Sequence, residues 1–201
     1  MKKRITFIIL LLCPVAGLYA QNNDTEKQDL PYYEIGEYPA EYTDATVAAR
    51  MIDGLGFRFY WATEGLRPQD LAFRPNEEAR TSEETIDHIY DLSYMILNAV
   101  LQKPNSGGGE GEMTFAEKRK KTLENLKTAS DILKKSGKGD LEKYKIIFKR
   151  GDRISEFPFW NLINGPIADA IWHCGQVVSF RRSSGNPFHS GVSVFSGKIR
   201  Q

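Results

Sequence analysis

The chain has 201 residues, of which 41% are hydrophobic and 26% are charged, and its formal net charge is +1. This composition is ordinary for a globular protein, and the length supports one domain with its own core. The near-neutral charge argues against a nucleic-acid partner, because phosphate binding draws on a clear basic excess.

The first twenty residues predict a secretory signal peptide. Residues 2–4 are basic, residues 5–12 are apolar, and Ala20 is a small residue at the expected cleavage position. The apolar run is too short for a comfortable membrane span. A lipoprotein interpretation of Cys13 is disfavoured, because Leu12 precedes it where a small residue is expected. We therefore expect an exported protein, periplasmic or secreted, with a mature net charge of −2 and no membrane span.

Cleavage after Ala20 leaves Cys174 as the single cysteine of the mature chain. An intramolecular disulfide is then excluded, so the exported protein must be held together by its core.

Residues 21–43 are polar and rich in Tyr, Pro and Glu, which predicts an extended arm with its aromatic side chains packed on the body. Thr43 can cap a first helix, in which apolar residues recur at steps of three and four up to Leu66. Gly54 and Gly56 each weaken this helix by about 1 kcal/mol relative to Ala. Close packing against a neighbouring helix or a local irregularity would explain them.

A proline-containing link, residues 66–79, precedes the second predicted helix. Thr81 and Glu84 have the spacing of a capping box and place its start. His88 lies on one of its apolar stripes, which continues through Leu92, Met95 and Ala99. A helix this apolar around its circumference belongs in the middle of a bundle.

Residues 104–112 form a glycine-rich surface loop before a third, amphipathic helix. Thr114 and Glu117 indicate its start, and we expect it to end near Gly137 or Gly139. Residues 141–154 carry a mixed pattern. Their central part, 145–149, is compatible with a short strand or with a further helix.

The fourth predicted helix begins after Pro158 or after the pair Gly165-Pro166, because proline fits a first turn and not a helix interior. Its broad apolar face consists of Ile167, Ala170, Ile171, Cys174, Val177 and Val178. A second face carries Asp169, His173, Gln176 and Phe180. The C-terminal tail, with Gly-Asn-Pro turn chemistry, is expected to fold back as a loop or short extended segment.

Four helices joined by long connections predict an all-α four-helix bundle. We divide the chain into a signal peptide (1–20), an N-terminal arm (21–43), the bundle (44–183) and a C-terminal tail (184–201).

If the second and fourth predicted helices pack together, a carboxylate and two imidazoles converge in this bundle. Asp169 and His173 are four residues apart and therefore share a helix face, and His88 lies inside the second helix. Two histidines and one carboxylate can bind zinc, nickel, iron or manganese and leave coordination positions open. The alternative is that His88 is a hydrogen-bonded core residue and that Asp169 and His173 form a buried ion pair.

The segment Asp169–Gln176, DAIWHCGQ, resembles the last helix of the DinB/YfiT-like family, whose pattern is His, three residues, His and then a step to Gly-Gln. His88, in IDHIYDLSYMILNA, is similar in position to the histidine on that family's second helix. The order of elements over residues 44–183 also agrees with the family.

The resemblance implies a four-helix bundle with one divalent metal, which this family commonly holds with three histidines. His88 and His173 match two of those ligands, whereas Asp169 replaces the third histidine. The family includes metal-dependent thiol transferases and a mycothiol-dependent isomerase. Export fits poorly with a cytosolic thiol cofactor, so we expect a metal-dependent hydrolase or transferase that acts on an unknown small molecule. The alternative is a metal-free structural or binding bundle with a degenerate site.

Bundles of this kind often form homodimers, but no residue pattern decides the oligomeric state. Gln176 is expected to hydrogen-bond to a metal-bound imidazole without itself binding the metal. Cys174 is interpreted as a buried apolar residue rather than a nucleophile. His189 is interpreted as an exposed loop residue. The aromatic residues interpreted as core residues are Tyr94, Trp160, Trp172 and Phe180.

Overall fold

The computed structural model describes residues 30–106 and 111–200. The predicted signal peptide and the first residues of the arm lie outside these ranges. The described chain is mostly helical, as predicted. Its helices are α1 (Asp44–Thr63), α2 (Pro68–Leu71), α3 (Ser82–Val100), α4 (Phe115–Lys134), α5 (Phe159–Leu162) and α6 (Ala168–Ser183).

Two small sheets accompany the helices, so the expectation of a purely α-helical fold was incomplete. The first sheet consists of β1 (Pro104–Asn105), β2 (Ile146–Arg150) and β3 (Arg153–Phe157), with β1 parallel and β3 antiparallel to β2. The second pairs β4 (Val192–Ser193) with β5 (Lys198–Ile199). The ambiguous segment 141–154 therefore contains most of a 3₁₀ turn (Asp140–Lys143), strand β2, the turn after it and the first residues of β3.

The helix starts follow from the capping residues that the sequence indicates. Thr81 Oγ1 accepts from the Glu84 amide at 3.1 Å, and the Glu84 carboxylate accepts from the Thr81 amide at 2.7 Å. Thr114 and Glu117 form the same reciprocal pair. These bonds satisfy amide groups that have no partner within the helix, and they fix where α3 and α4 begin.

The four long helices pack against one another in pairs. Helix α1 contacts α4 and α6, and α3 contacts the same two helices. The largest fully buried side chains include Ile52, Leu55, Phe59, Ile86, Ile89, Ile96, Leu123, Leu126, Leu162 and Ile167. Because α3 and α6 are neighbours, side chains on their facing surfaces can meet.

The last long helix is continuous with α5 through a π-helical turn, Ile163–Ile167, which contains Pro166. The helical run therefore starts after Pro158, and Pro166 lies inside it. Proline has no amide hydrogen to donate, and a π turn accommodates the interrupted bonding. Because such a turn contains one additional residue, the side chains of α6 are rotated about the helix axis by about 100° relative to those of α5.

The N-terminal arm packs on α1, as expected. The buried ring of Tyr32 lies against Gly56, where a Cβ atom would collide with it, and Tyr32 Oη donates to Asp53 Oδ1 at 3.1 Å. Tyr32 adopts a positive φ of 75°. Gly56 is thus explained by close packing, but against the arm and not against a neighbouring helix.

A buried carboxylate joins α2 to the end of α6. Asp70 is fully buried and accepts hydrogen bonds from the Arg67 guanidinium, Ser184 Oγ and Asn186 Nδ2, at 2.9, 2.6 and 2.7 Å respectively. The Arg67 guanidinium and these donors hold the pKa of Asp70 well below its ordinary value. This network anchors the start of the tail. Beyond it, the tail returns to the arm, where the Ile35 amide donates to the Gly197 carbonyl at 2.9 Å.

Two aromatic residues do not lie where the sequence suggested. Trp160 and Trp172 are 74% and 72% exposed, so their interpretation as core residues was wrong. Each lies on the outer side of its helix. A cluster of apolar neighbours in the sequence does not fix which way one large side chain points.

Within residues 30–106 and 111–200, no helix combines the length and the apolar character needed to cross a membrane.

Candidate metal centre

Three side chains from two helices converge at the contact between α3 and α6. Asp169 Oδ2 lies 3.2 Å from His88 Nε2, and Asp169 Oδ1 lies 3.3 Å from His173 Nε2. One ligand atom from each residue lies within 4.8 Å of the other two. The predicted convergence of His88, Asp169 and His173 is therefore present, and these atoms could hold a metal ion.

Local sequence explains the position of each side chain. Asp169 and His173 are four residues apart on α6, which puts them on one face. Ile86 and Ile89 on α3 are fully buried and fix that helix's rotation, which leaves His88 at the edge of the contact with α6. The site thus forms where two amphipathic faces meet.

The two imidazole rings stand edge to face. The centroids of His88 and His173 are 4.8 Å apart, and the ring planes make an angle of 84°. Both rings present Nε2 to the carboxylate of Asp169. Two imidazole nitrogens and a carboxylate oxygen are ordinary ligands of zinc, iron, nickel and manganese, and three ligands leave coordination positions open.

The site is half-buried and reachable from solvent. The side chains of His88, Asp169 and His173 are 32%, 36% and 14% exposed, respectively. His173 is thus held against the core, while His88 and Asp169 face an opening. A small molecule or water could reach an ion at this position from the exposed side.

Gln176 orients the more buried histidine. His173 Nδ1 lies 2.7 Å from Gln176 Oε1, one helical turn further along α6. An amide oxygen only accepts, so Nδ1 carries the proton in this arrangement, and in the neutral ring Nε2 presents a lone pair toward Asp169. This is the outer contact expected of a metal-binding imidazole.

A further carboxylate lies near the site and was missed by the sequence reasoning. Asp91 follows His88 by one turn of α3. Asp91 is exposed, but desolvation by neighbouring atoms raises its pKa, and the nearby imidazole of His88 acts in the opposite direction. The three-residue spacing was the available signal, but it is common on helix surfaces and says nothing about burial.

Other sequence candidates lie away from the site. Cys174 is buried, and burial raises the pKa of its thiol to about 12, so the structure agrees with an inert apolar role. His189 is an exposed residue of the tail, with its ring centroid 5.9 Å from that of Trp61. Arg181, at the end of α6, is buried and donates to the carbonyls of Trp61 and Ala62. Its role is to satisfy the end of α1.

Comparison of this chain with protein-family models, with curated proteins and with solved structures finds no match.

Proposed function

We propose that this protein is an exported DinB/YfiT-like four-helix bundle that binds one divalent metal ion through His88, Asp169 and His173. The observation that carries the proposal is the convergence of one ligand atom from each of these residues within 4.8 Å. Two of the ligands come from positions 81 residues apart, so local sequence cannot account for their meeting.

The hydrogen-bonding geometry around His173 supports a cation at this point. Gln176 Oε1 lies on the Nδ1 side of the ring, and Nε2 lies 3.3 Å from an oxygen of Asp169, so the neutral ring with its proton on Nδ1 turns a lone pair toward that oxygen. Two acceptor atoms that face one another are stabilised by a cation between them. A metal ion satisfies both acceptors and His88 together, whereas a proton satisfies one pair.

The features that resemble the DinB/YfiT-like family support the same proposal. They are the DAIWHCGQ segment, the histidine on the second long helix and the order of elements over residues 44–183. Asp169 takes the place of a histidine and adds negative charge, which favours harder ions such as manganese and iron relative to a three-histidine site. The basic and apolar segments before Ala20 support export.

The chemistry that we propose is metal-dependent hydrolysis or group transfer on a small molecule. A bound divalent ion would supply Lewis acidity and would lower the free energy of charge that develops on a substrate oxygen. The chain itself contributes the orientation of His173 through Gln176 and the open side between His88 and Asp169. The exposed indole of Trp172, three residues after Asp169, is available to contact an apolar part of the substrate.

Elemental analysis tests the metal site. The protein is purified without chelator and without a metal-affinity tag, and we expect near-stoichiometric zinc, nickel, iron or manganese. Substitution His88→Ala should remove most of this metal. His189→Ala is the matched control, because it deletes an exposed histidine outside the site and should leave the metal content unchanged.

Thermal unfolding distinguishes the metal site from the alternative function. An ion present at about 100 times its dissociation constant stabilises the folded state by about 2.7 kcal/mol, so a chelator should lower the melting temperature. The alternative is a metal-free structural or binding bundle, in which Asp169 merely bonds both imidazoles. Absence of metal together with no thermal shift on adding any of the four ions would establish that alternative.

A further inference from the structure

We propose a second ligand site on the β2–β3 hairpin, which takes a small organic anion with an aromatic or aliphatic body. The hairpin bears an open cleft of about 320 Å³ that is lined by Phe148, Arg150, Arg153, Ser155 and Phe157. This volume is at the lower end of the range found for small-molecule sites. The proposal is independent of the metal centre.

The strand register places all five lining residues on one face of the hairpin. Ser155 pairs with Phe148, and Arg153 pairs with Arg150. Because side chains alternate along a strand, Lys149 and Ile154 point to the other face. The cleft therefore has a defined composition, with two aromatic rings, one hydroxyl and two guanidinium groups.

The two arginines lie directly opposite one another beside the turn. Residues opposite one another in an antiparallel pair have Cβ atoms about 5 Å apart, and like charges at such positions destabilise the pair. Among the residues that the structure describes, neither guanidinium has an acidic partner. An anion bound between them would relieve this repulsion, and guanidinium groups match carboxylate and phosphate oxygens in geometry.

The two aromatic rings of the cleft argue against a bare inorganic ion as the ligand. The Phe148 and Phe157 rings meet edge to face, with centroids 6.0 Å apart and an interplanar angle of 76°. Phe157 is 41% exposed, so it keeps free surface for a ligand. An apolar body that covers these rings would gain from burial what a free phosphate cannot. The ligand class is therefore a carboxylate or phosphate monoester attached to an apolar group.

Binding of defined probes to the full chain tests this site. Phenyl phosphate and phenylacetate are titrated and followed by amide chemical shifts. The controls are inorganic phosphate, which lacks the apolar body, and benzyl alcohol, which lacks the negative charge. We expect the largest shifts over residues 146–157, and we expect each control to bind at least about tenfold more weakly than phenyl phosphate. Equal binding of inorganic phosphate would overturn the proposed apolar half, and shifts confined to α3 and α6 would assign the probe to the metal centre instead.

Variants of exposed residues separate a built site from general electrostatic attraction. The double change Arg150→Gln with Arg153→Gln should weaken phenyl phosphate binding at least about tenfold, because it removes both charge-assisted contacts. Lys149→Gln removes the same kind of charge from the opposite face of the same strand and should have less than about a twofold effect. If Lys149→Gln weakens binding as much as the double change, the proposal is wrong.

A third variant keeps both arginines and fills the cleft. Ser155→Glu would place a carboxylate between the rings and the guanidinium groups, and it should abolish phenyl phosphate binding. The amide chemical shifts of the hairpin should still be those of a folded strand pair. Unchanged affinity in Ser155→Glu would show that the probe does not occupy this cleft.

Discussion

Asp169 and His88 are 81 residues apart in the chain, yet Asp169 Oδ2 lies 3.2 Å from His88 Nε2. The same carboxylate reaches His173 through its other oxygen at 3.3 Å. Asp169 is therefore shared by both histidines, and the character of the site depends on this one residue.

Replacing Asp169 changes the metal affinity in a direction that depends on the new side chain. Asp169→Asn should weaken zinc binding by at least about tenfold, because a neutral amide oxygen is a poorer ligand than a carboxylate. Asp169→His supplies the imidazole that the family resemblance implies and should retain stoichiometric zinc. Competition titration with a chromophoric chelator measures both. Equal affinity in the wild type and Asp169→Asn would exclude Asp169 as a ligand.

The contact between Gln176 and His173 should tune metal affinity without providing a ligand. Gln176→Ala removes the acceptor at Nδ1 and should lower the affinity about 10- to 100-fold. Gln176→Glu keeps an acceptor at this position and should restore most of the loss, which a purely structural role would not explain. Ser179→Ala, an exposed site one turn beyond Gly175 on the same helix, serves as the control. The readout is the same competition titration.

The buried carboxylate of Asp70 should make stability depend on pH. Its pKa in the folded state lies below the unfolded value, mainly because of the Arg67 guanidinium. Its contribution is therefore present above about pH 4 and is lost progressively as the pH falls from there toward the folded-state pKa.

Asp70→Asn should cost about 2 kcal/mol or more at neutral pH, since it removes charge-assisted hydrogen bonds inside the fold. The difference from the wild type should shrink as the pH is lowered below about 4. Urea unfolding at several pH values measures both effects. A difference that is constant down to about pH 3 would contradict this linkage.

The thiol of Cys174 should be unreactive in the folded protein. Its pKa is raised to about 12 by burial, so almost no thiolate is present at moderately alkaline pH. In a Cys13→Ser background, a disulfide reagent such as DTNB should modify Cys174 only after denaturant is added. Rapid modification of the native protein would show that this part of α6 opens.

Gly56 and Gly175 should respond oppositely to substitution by alanine. At Gly56 the added methyl group meets the ring of Tyr32, so Gly56→Ala should destabilise the fold by about 1–3 kcal/mol. At Gly175 nothing lies within 4 Å of an added Cβ, so Gly175→Ala should stabilise α6 by about 0.5–1 kcal/mol. Chemical denaturation measures both.

A double-mutant cycle shows whether Tyr32 causes the first effect. In a Tyr32→Ala background the cost of Gly56→Ala should fall markedly, because the colliding ring is gone. An unchanged cost would assign the effect to the helix backbone.

Local sequence determined the helices and half of the site. Capping pairs such as Thr81 with Glu84 determine where the helices begin, because their hydrogen bonds join residues within four positions of each other and need no partner from elsewhere in the chain. The spacing of Asp169 and His173 fixed a shared face for the same reason, since helical geometry repeats every 3.6 residues. The prediction that Cys174 is buried was confirmed, because it lies in an apolar stripe.

Tertiary structure decided the features that depend on contacts between distant residues. The ambiguous segment before Pro158 became a strand because β2 bonds to both β1 and β3, and no local periodicity encodes that pairing. Trp160 and Trp172 face outward because helix rotation is set by the whole buried face and not by one ring.

The contact between His88 and Asp169 also depends on tertiary packing. Periodicity placed each residue on a face of its own helix, but only the packing of α3 against α6 brings the two faces together. The sequence predicted this meeting only on the condition that these two helices pack together. The physical cause is the burial of Ile86 and Ile89, which fixes how α3 is turned toward α6.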